Sequence, residues 1–85
     1  MEKEMITIYL FGGLKEIASE SQLTYSFEKP IPVSELFIKV FCDRPDIIKI
    51  YSNKIVYAVN QKQVSPDFCV NVNDTVAFMP PFAGG

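Results

Sequence analysis

The sequence predicts a single α+β domain in which one principal helix packs across one face of a sheet. Its 85 residues are few enough for one domain, and the 48% that are apolar suffice for a core without a metal or a disulfide. Alternating apolar and polar residues indicate strands before and after the helix. The helix is indicated by apolar residues that recur at the spacing of one helical face, namely Val33, Leu36, Phe37 and Val40.

The first two strands are predicted over residues 5–11 and 23–27. In the first strand, alternation directs three apolar residues to one face, namely Ile6, Ile8 and Leu10. The pair Gly12-Gly13 ends this strand, and residues 14–18 are compatible with a turn of helix. Residues 23–27 alternate apolar and polar, so we expect this half-buried strand to pair with the first as a hairpin.

The principal helix begins near Pro32, and two starts fit the residues there. Pro32 suits the first helical position. Alternatively, Ser34 could cap the helix while Val33 and Ile38 pack together as a hydrophobic staple. Pro45 disfavours helical geometry at the residue before it, so we expect the helix to end by that point.

The second half of the chain is expected to contain mainly strands and turns. Residues 45–51 could form a short helix. After them we expect a strand over 55–59, a turn over 60–63, a brief strand at Val64, a turn over 71–74 and a strand over 75–79. Placing the last strand parallel to the first would centre the two most apolar strands, but composition and periodicity do not establish that pairing. The residues assigned to the core are Leu36, Phe37, Val40, Tyr57, Val59, Val76 and Phe78.

Charge and residue content argue against several classes of function. A net charge of −2 and a pI near 4.9 provide no basic patch, so we expect no nucleic-acid partner. The lack of histidine and of a Cys-x-x-Cys pair argues against a metal site or a self-sufficient hydrolase. Cys42 and Cys69 are predicted to be free, buried thiols of a reducing compartment. With no basic leader and no apolar run of about 18 residues, we expect a cytoplasmic protein that does not enter a membrane.

The last six residues, Pro80-Pro81-Phe82-Ala83-Gly84-Gly85, are the feature that most needs an explanation. We predict a domain over residues 1–79 and a flexible tail over residues 80–85. Two prolines end the strand and stiffen the exit, while an alanine and two glycines make a thin end that could thread a narrow channel. Extended, the tail reaches roughly 20 Å, so its carboxylate could react in a neighbouring protein. The alternative is a frayed end without a function.

Three segments of the chain carry a resemblance to a known family. They are DTVAFMPPFAGG at residues 74–85, YLFGGLKEI at residues 9–17 and AVNQ at residues 58–61. In these segments the chain resembles the MoaD-like family, the small, sulfur-carrying subunits of molybdopterin synthase. Lys15 stands where that family often carries arginine, which removes bidentate pairing. Asn73 stands where a glycine often precedes the aspartate, and asparagine tolerates the left-handed backbone of such a turn.

The resemblance implies a ubiquitin-like β-grasp fold, with a mixed sheet and a projecting Gly-Gly tail, and a carrier function. An E1-like, MoeB-like adenylyltransferase would use ATP to adenylate the Gly85 carboxylate, and sulfur would replace the adenylate to give a thiocarboxylate. The large, MoaE-like synthase subunit would accept the tail and use its sulfur to build the molybdopterin dithiolene. The implied assembly is a heterotetramer with its active site in the large subunit. This chain would therefore bind no cofactor and would not be catalytic alone.

The residues that would carry this function lie mainly in the tail. Gly85 is the implied covalent site, and Gly84 is the residue whose missing side chain lets the tail thread a channel. The predicted partner interface consists of Phe11, Lys15, Met79, Pro80, Pro81, Phe82 and Ala83, since aromatic residues and methionine are common at the centres of interfaces. Alternatively, Phe11 and Met79 only cover the sheet, and Lys15 is only a solvated lysine.

Two further classes of function stay open on the sequence. A carrier of this fold could serve thiazole synthesis or tRNA thiolation, or it could be a modifier that is joined to lysines. The third class is a β-grasp binding module with an inert tail. The VAFMPPF segment at residues 76–82 favours the synthase subunit.

Overall fold

The structure is a computed structural model and describes residues 4–27 and 30–80. These residues form seven strands and three helices. In chain order they are β1 (Glu4–Leu10), α1 (Gly12–Ala18), β2 (Gln22–Phe27), β3 (Ile31–Pro32), α2 (Val33–Val40), α3 (Pro45–Tyr51), β4 (Val56–Val59), β5 (Lys62–Val64), β6 (Cys69–Val70) and β7 (Thr75–Met79). None of these three helices is long and apolar enough to cross a membrane.

The strands form a five-stranded mixed sheet and a separate two-stranded sheet. The order of the larger sheet is β2-β1-β7-β4-β5, in which β1 and β7 are parallel and the other neighbours are antiparallel. The predicted hairpin of the first two strands is confirmed, and the chain adopts the parallel pairing that the sequence left open. The smaller sheet pairs β3 with β6. The sequence pattern does not predict these strands, because two residues are too few to show a period.

The core lies between the larger sheet and the helices. Ile6, Ile8 and Leu10 of β1 are at most 2% exposed, as the alternation predicts. Phe37 of α2 is fully buried, and its ring centroid lies 5.2 Å from that of Phe78 in an edge-to-face arrangement. Six of the seven predicted core residues are buried, and the seventh, Val40, is half-buried against the core. Leu14 of α1 and Ile47 of α3 join the same cluster, so all three helices cover one face of the sheet.

The start of α2 differs from both predicted starts. Pro32 is the residue before the helix, and it is not the first helical residue. No side chain caps this end, so the predicted Ser34 cap is wrong, and the predicted staple is wrong because Ile38 is 41% exposed. Instead, two free N–H groups of the first turn donate to carbonyls of the segment before β6, Val33 N–H to Phe68 O at 2.8 Å and Ser34 N–H to Pro66 O at 3.0 Å.

Two further predictions need correction. β1 ends at Leu10, so Phe11 lies outside the strand, and the left-handed backbone of the next residue, Gly12, cannot continue an extended chain. Cys42 and Cys69 are free, as predicted, but both are exposed and not buried. Cys69 lies in a two-residue strand in which Val70 takes the buried face, so alternation turns the thiol outward.

The turn between β4 and β5 is shorter than predicted and is anchored to the start of β7. Asn60 and Gln61 have φ values of 54° and 73°, as in a two-residue hairpin turn, so β5 begins already at Lys62. The Asn60 side chain donates to Asp74 Oδ1 at 3.0 Å and accepts from Thr75 N–H at 3.0 Å. Its backbone N–H donates to Thr75 O at 2.7 Å. In the turn before β7, Asn73 has a φ of 72°, which confirms the left-handed position expected there.

Replacing Asn60 with alanine should lower the free energy of unfolding by about 2 kcal/mol, because alanine loses both side-chain hydrogen bonds and disfavours a positive φ. Asn60→Gly, which loses the hydrogen bonds but accepts the backbone angle, should cost about half as much. Urea unfolding measures both, with Gln63→Ala on the neighbouring exposed strand as a control expected to stay within about 0.5 kcal/mol of the parent. Equal costs for the two Asn60 variants would contradict the role given to the backbone angle.

Candidate functional site

The carboxyl ends of β1 and β7 lie side by side at one edge of the larger sheet. Because these central strands are parallel, with Leu10 opposite Phe78, both leave the sheet in the same direction. β1 continues into Phe11 and α1, and β7 ends at Met79 and continues into Pro80. We call this region the exit edge and define it by Phe11, Gly12, Lys15, Met79 and Pro80.

Pro80 packs directly on Gly12. Gly12 has a φ of +59°, a backbone conformation that residues with a side chain rarely adopt. A Cβ atom at this position would lie 3.0 Å from Pro80 Cγ and 3.4 Å from Pro80 Cδ. The proline ring therefore occupies the space that any side chain at position 12 would need, and this contact joins the end of β7 to the start of α1.

Phe11 is an exposed aromatic residue at the start of α1. Its backbone is extended, with φ −131° and ψ 159°, and its side chain makes no capping hydrogen bond. The side chain is 48% exposed, so burial in this domain does not account for a phenylalanine here. One turn along the helix, the Lys15 N–H donates to Phe11 O at 3.3 Å, and the Lys15 side chain is exposed. A large apolar group and a cation are thus neighbours at the exit edge.

The outer face of the sheet continues this apolar surface. The helices pack on the other face, so the residues of β1 and β7 that alternate with the core residues turn outward. Tyr9 lies beside Ala77, and Met79 lies opposite Val56 of β4. Tyr9 is 37% exposed, while the other three are half-buried. Small and half-buried apolar groups next to an exposed ring form a flat, apolar surface that a partner could cover.

Away from the exit edge, the described residues show one groove and one exposed ion pair. Within residues 4–27 and 30–80 there is no group of three or more histidine, cysteine, aspartate or glutamate side chains suited to a metal ion. An open groove of about 460 Å³ lies beside β4 and β5, and it is lined by residues 55–57 and 63–66, none of them charged. Burial raises the pKa of the Tyr57 phenol in this groove. A hydrogen bond from Arg44 lowers the pKa of the Asp46 carboxyl, and that pair lies exposed at the start of α3.

Four of the predicted site residues are brought together, namely Phe11, Lys15, Met79 and Pro80. The other five, Pro81, Phe82, Ala83, Gly84 and Gly85, lie outside the described residues, and their roles stay predictions. Gly12 at the exit edge and Tyr9 on the adjoining outer face of the sheet were not among the predicted site residues. The alternation of β1, with Tyr9 opposite in face to Leu10, was a sufficient signal for Tyr9. No local signal reveals the contact of Gly12 with Pro80.

Comparison with solved structures identifies the fold. The small archaeal modifier protein 1 of Haloferax volcanii matches with a TM-score of 0.79 at 16% identity, over 93% of this chain and 99% of that chain. A putative molybdopterin converting factor subunit 1 from Pyrococcus furiosus matches with a TM-score of 0.73 at 18% identity, over 93% and 99%. The structure of the complex of subunits 1 and 2 of molybdopterin-converting factor from Helicobacter pylori 26695 contains a match with a TM-score of 0.62 at 20% identity, over 95% and 99%. The predicted ubiquitin-like β-grasp fold is confirmed.

Family membership rests on a separate comparison, made on the sequence. The model of the ThiS family matches residues 8–85, which includes the last three residues of β1, all of β7, the exit edge and the Gly-Gly end. The match covers most of the chain, and the resemblance drawn from the three short segments is thereby confirmed. The chain belongs to the ThiS family, a family of ubiquitin-like sulfur carriers.

Proposed function

We propose that this chain is the sulfur-carrying small subunit of molybdopterin synthase. The observation that supports it best is the exit edge, where the parallel pairing of β1 and β7 brings Phe11, Lys15 and Met79 to the point from which the segment ending in Gly84-Gly85 departs. A partner that covers this apolar edge would stand where the tail can enter it. The terminal DTVAFMPPFAGG segment supports the same assignment.

The proposed chemistry takes place on the Gly85 carboxylate. A carboxylate is a poor acyl donor, so its oxygen first attacks the α-phosphorus of ATP in an E1-like adenylyltransferase, forming an acyl adenylate and releasing pyrophosphate. Hydrosulfide from the sulfur source then attacks the acyl carbon and expels AMP, and loss of its proton leaves a thiocarboxylate. The consumption of ATP fits a cytoplasmic protein. The chain itself supplies the acyl group, the thin tail and the docking edge.

The proposed acceptor is the large synthase subunit. The matched Helicobacter pylori structure is a complex of subunits 1 and 2 of molybdopterin-converting factor, which supports a large-subunit partner for a chain of this fold. Phe11 and Met79 would form the apolar centre of the contact, and Lys15 its charged rim. The large subunit would take the thiocarboxylate and use its sulfur for the molybdopterin dithiolene, within a heterotetramer.

A protein modifier is the second candidate. The Haloferax volcanii protein, which is named a modifier, matches with a TM-score of 0.79, against 0.73 and 0.62 for the two molybdopterin converting factor matches. Adenylation of the terminal glycine is common to both candidates. They differ in the acceptor, because a modifier ends on a lysine amine and a synthase subunit returns as a carboxylate after it has given up its sulfur.

The intact mass of the protein tests the carrier function. After incubation with ATP, the adenylyltransferase and a sulfur source, we expect a gain equal to the exchange of one oxygen atom for one sulfur atom. A variant that lacks Gly84 and Gly85 should show no gain. An unchanged mass of the parent protein, with an adenylyltransferase that is active on another carrier, would contradict the proposal and favour a binding module with an inert tail.

The acceptor is tested with the sulfur-loaded protein. Addition of the large subunit and the cyclic pyranopterin precursor should return the mass to that of the carboxylate form and produce a dithiolene-containing pterin. Lysine-linked conjugates in place of that product would favour the modifier.

A further inference from the structure

We propose that Gly12 is a positioning residue that seats the Pro80 ring and thereby sets the direction in which the C-terminal segment leaves the domain. The inference rests on the proposed carrier function, because only then does the position of Gly85 matter for a reaction. Gly12 does not touch the reacting atoms. It acts through Pro80, the first residue after β7.

The contact between the two residues is tight, so a side chain at position 12 requires Pro80 to shift by a few tenths of an ångström. A Cβ atom there would stand 3.0 Å from Pro80 Cγ, which is tighter than ordinary carbon contacts, and the atom it meets belongs to a ring that is closed onto the backbone. The proline ring is closed onto the backbone and holds φ near −65°, so Cγ can move only by a change of ring pucker or together with the backbone. We infer that a side chain at position 12 displaces the Pro80 ring and, with it, the backbone at the end of β7.

The neighbouring glycine, Gly13, faces a side chain that can move. A Cβ atom at Gly13 would lie 2.9 Å from the Tyr51 hydroxyl oxygen, which is the far end of a flexible side chain. Tyr51 can turn away by a change of rotamer, and no part of the chain that leads to the tail has to move. Gly13 is thus a matched control for Gly12.

The sequence after Pro80 makes the direction of exit consequential. The next residue is also a proline, so the start of the segment is stiff, and five residues follow Pro80 in all. For a segment extended in a partner's channel, a rotation of about 10° at Pro80 displaces Gly85 by roughly 3 Å. Displacements of about 1 Å at a reacting centre already reduce rates about 100-fold.

The test uses asparagine at position 12, because asparagine accepts a positive φ while it adds a Cβ atom. Asn60 and Asn73 do so in this chain, with φ values of 54° and 72°. We compare Gly12→Asn, Gly13→Asn, Pro80→Ala and the double variant Gly12→Asn/Pro80→Ala. The double variant removes Pro80 Cγ and Cδ, the two atoms that the new side chain would meet.

The first readout is the position of the tail, which does not depend on catalysis. Cys42 and Cys69 are exposed, so both are replaced with serine, and a nitroxide is attached at Ala83→Cys. The nitroxide broadens the amide signals of nearby residues. The set of broadened signals should change in Gly12→Asn and stay as in the parent in Gly13→Asn. In the double variant it should match the set seen in Pro80→Ala. The same pattern in Gly12→Asn as in the parent would overturn the proposal.

The second readout is the rate of adenylation, followed by pyrophosphate release with the full chain. We expect Gly12→Asn to lower kcat at least about tenfold with a smaller change in KM, and Gly13→Asn to stay close to the parent, since only the former misplaces the reacting terminus. The double variant should regain the kcat of Pro80→Ala. A loss in Gly12→Asn that Pro80→Ala does not relieve would overturn the proposal. A parent protein that is not adenylated would instead contradict the proposed carrier function. The nitroxide measurement would still show whether Gly12 sets the position of Pro80 and of the segment that follows it.

Discussion

Replacing Phe37 with alanine should lower the free energy of unfolding by about 3–5 kcal/mol. Phe37 is fully buried, and its ring centroid lies 5.2 Å from that of Phe41, 5.2 Å from that of Phe78 and 6.5 Å from that of Tyr57. Removal of the ring leaves a cavity between α2 and the central strand β7, and three aromatic neighbours lose their contact. A small domain has a total stability of about 5–15 kcal/mol, so this single change would remove a large part of it.

Urea unfolding followed by circular dichroism measures this loss. Ile38→Ala, on the same helix but 41% exposed, is the control and should cost less than about 1 kcal/mol. If the Phe37 variant unfolds too early for a complete baseline, Phe37→Leu should still give a measurable cost of about 1–2 kcal/mol, because it leaves a smaller cavity. Costs as small as that of Ile38→Ala would mean that α2 does not hold the sheet as described.

The position of Phe37 in the core could be predicted from the sequence because its signal is local. The recurrence of apolar residues along α2 and the alternation along β1 and β7 each need only one segment of chain. The parallel pairing of β1 with β7 is different, because both strands are apolar and their alternation is the same in any pairing. The family resemblance implied this pairing, and the register of Ile8 with Val76 confirms it.

The errors at element boundaries have a common physical cause. α2 begins where two carbonyls from distant residues, Pro66 and Phe68, accept the N–H groups of its first turn. Neither the cap at Ser34 nor its staple is needed once those bonds exist. The same holds for Cys69, whose exposure follows from a two-residue strand that forms only against β3. Contacts between distant segments determine the start of α2 and the exposure of Cys69, and local sequence propensity does not predict such contacts.

The candidate site divides in the same way. The roles of the Gly-Gly end and of the other residues after Pro80 stay predictions, while the exposed position of Phe11 could be predicted from a short segment. The seat of Pro80 on Gly12 could not, because the two residues meet only after β1 and β7 have paired. A glycine that ends a strand is usually explained by the turn alone, and here the turn and the contact with Pro80 both disfavour a side chain.

Replacing Phe11 with aspartate should weaken binding to the large synthase subunit about 30-fold or more while the domain stays folded. Aromatic residues near the centre of an interface each account for about 2 kcal/mol or more of the binding free energy, and a carboxylate would have to be desolvated in the same place. Phe11 is 48% exposed and makes no capping bond, so the free domain loses little. Aspartate is favoured at the position before a helix, and the melting temperature should therefore stay unchanged or rise.

Phe68→Asp separates this effect from a general effect of charge. Phe68 is 42% exposed, similar to Phe11, but it precedes β6 of the smaller sheet and lies outside the exit edge. Titration calorimetry with the large subunit should show the loss for Phe11→Asp and near-parent affinity for Phe68→Asp. Equal losses would assign the effect to net charge, since each variant adds one negative charge to a chain that carries −2. Unchanged binding of Phe11→Asp would mean that the partner does not contact the exit edge. The tail would then have to reach its acceptor from a different surface.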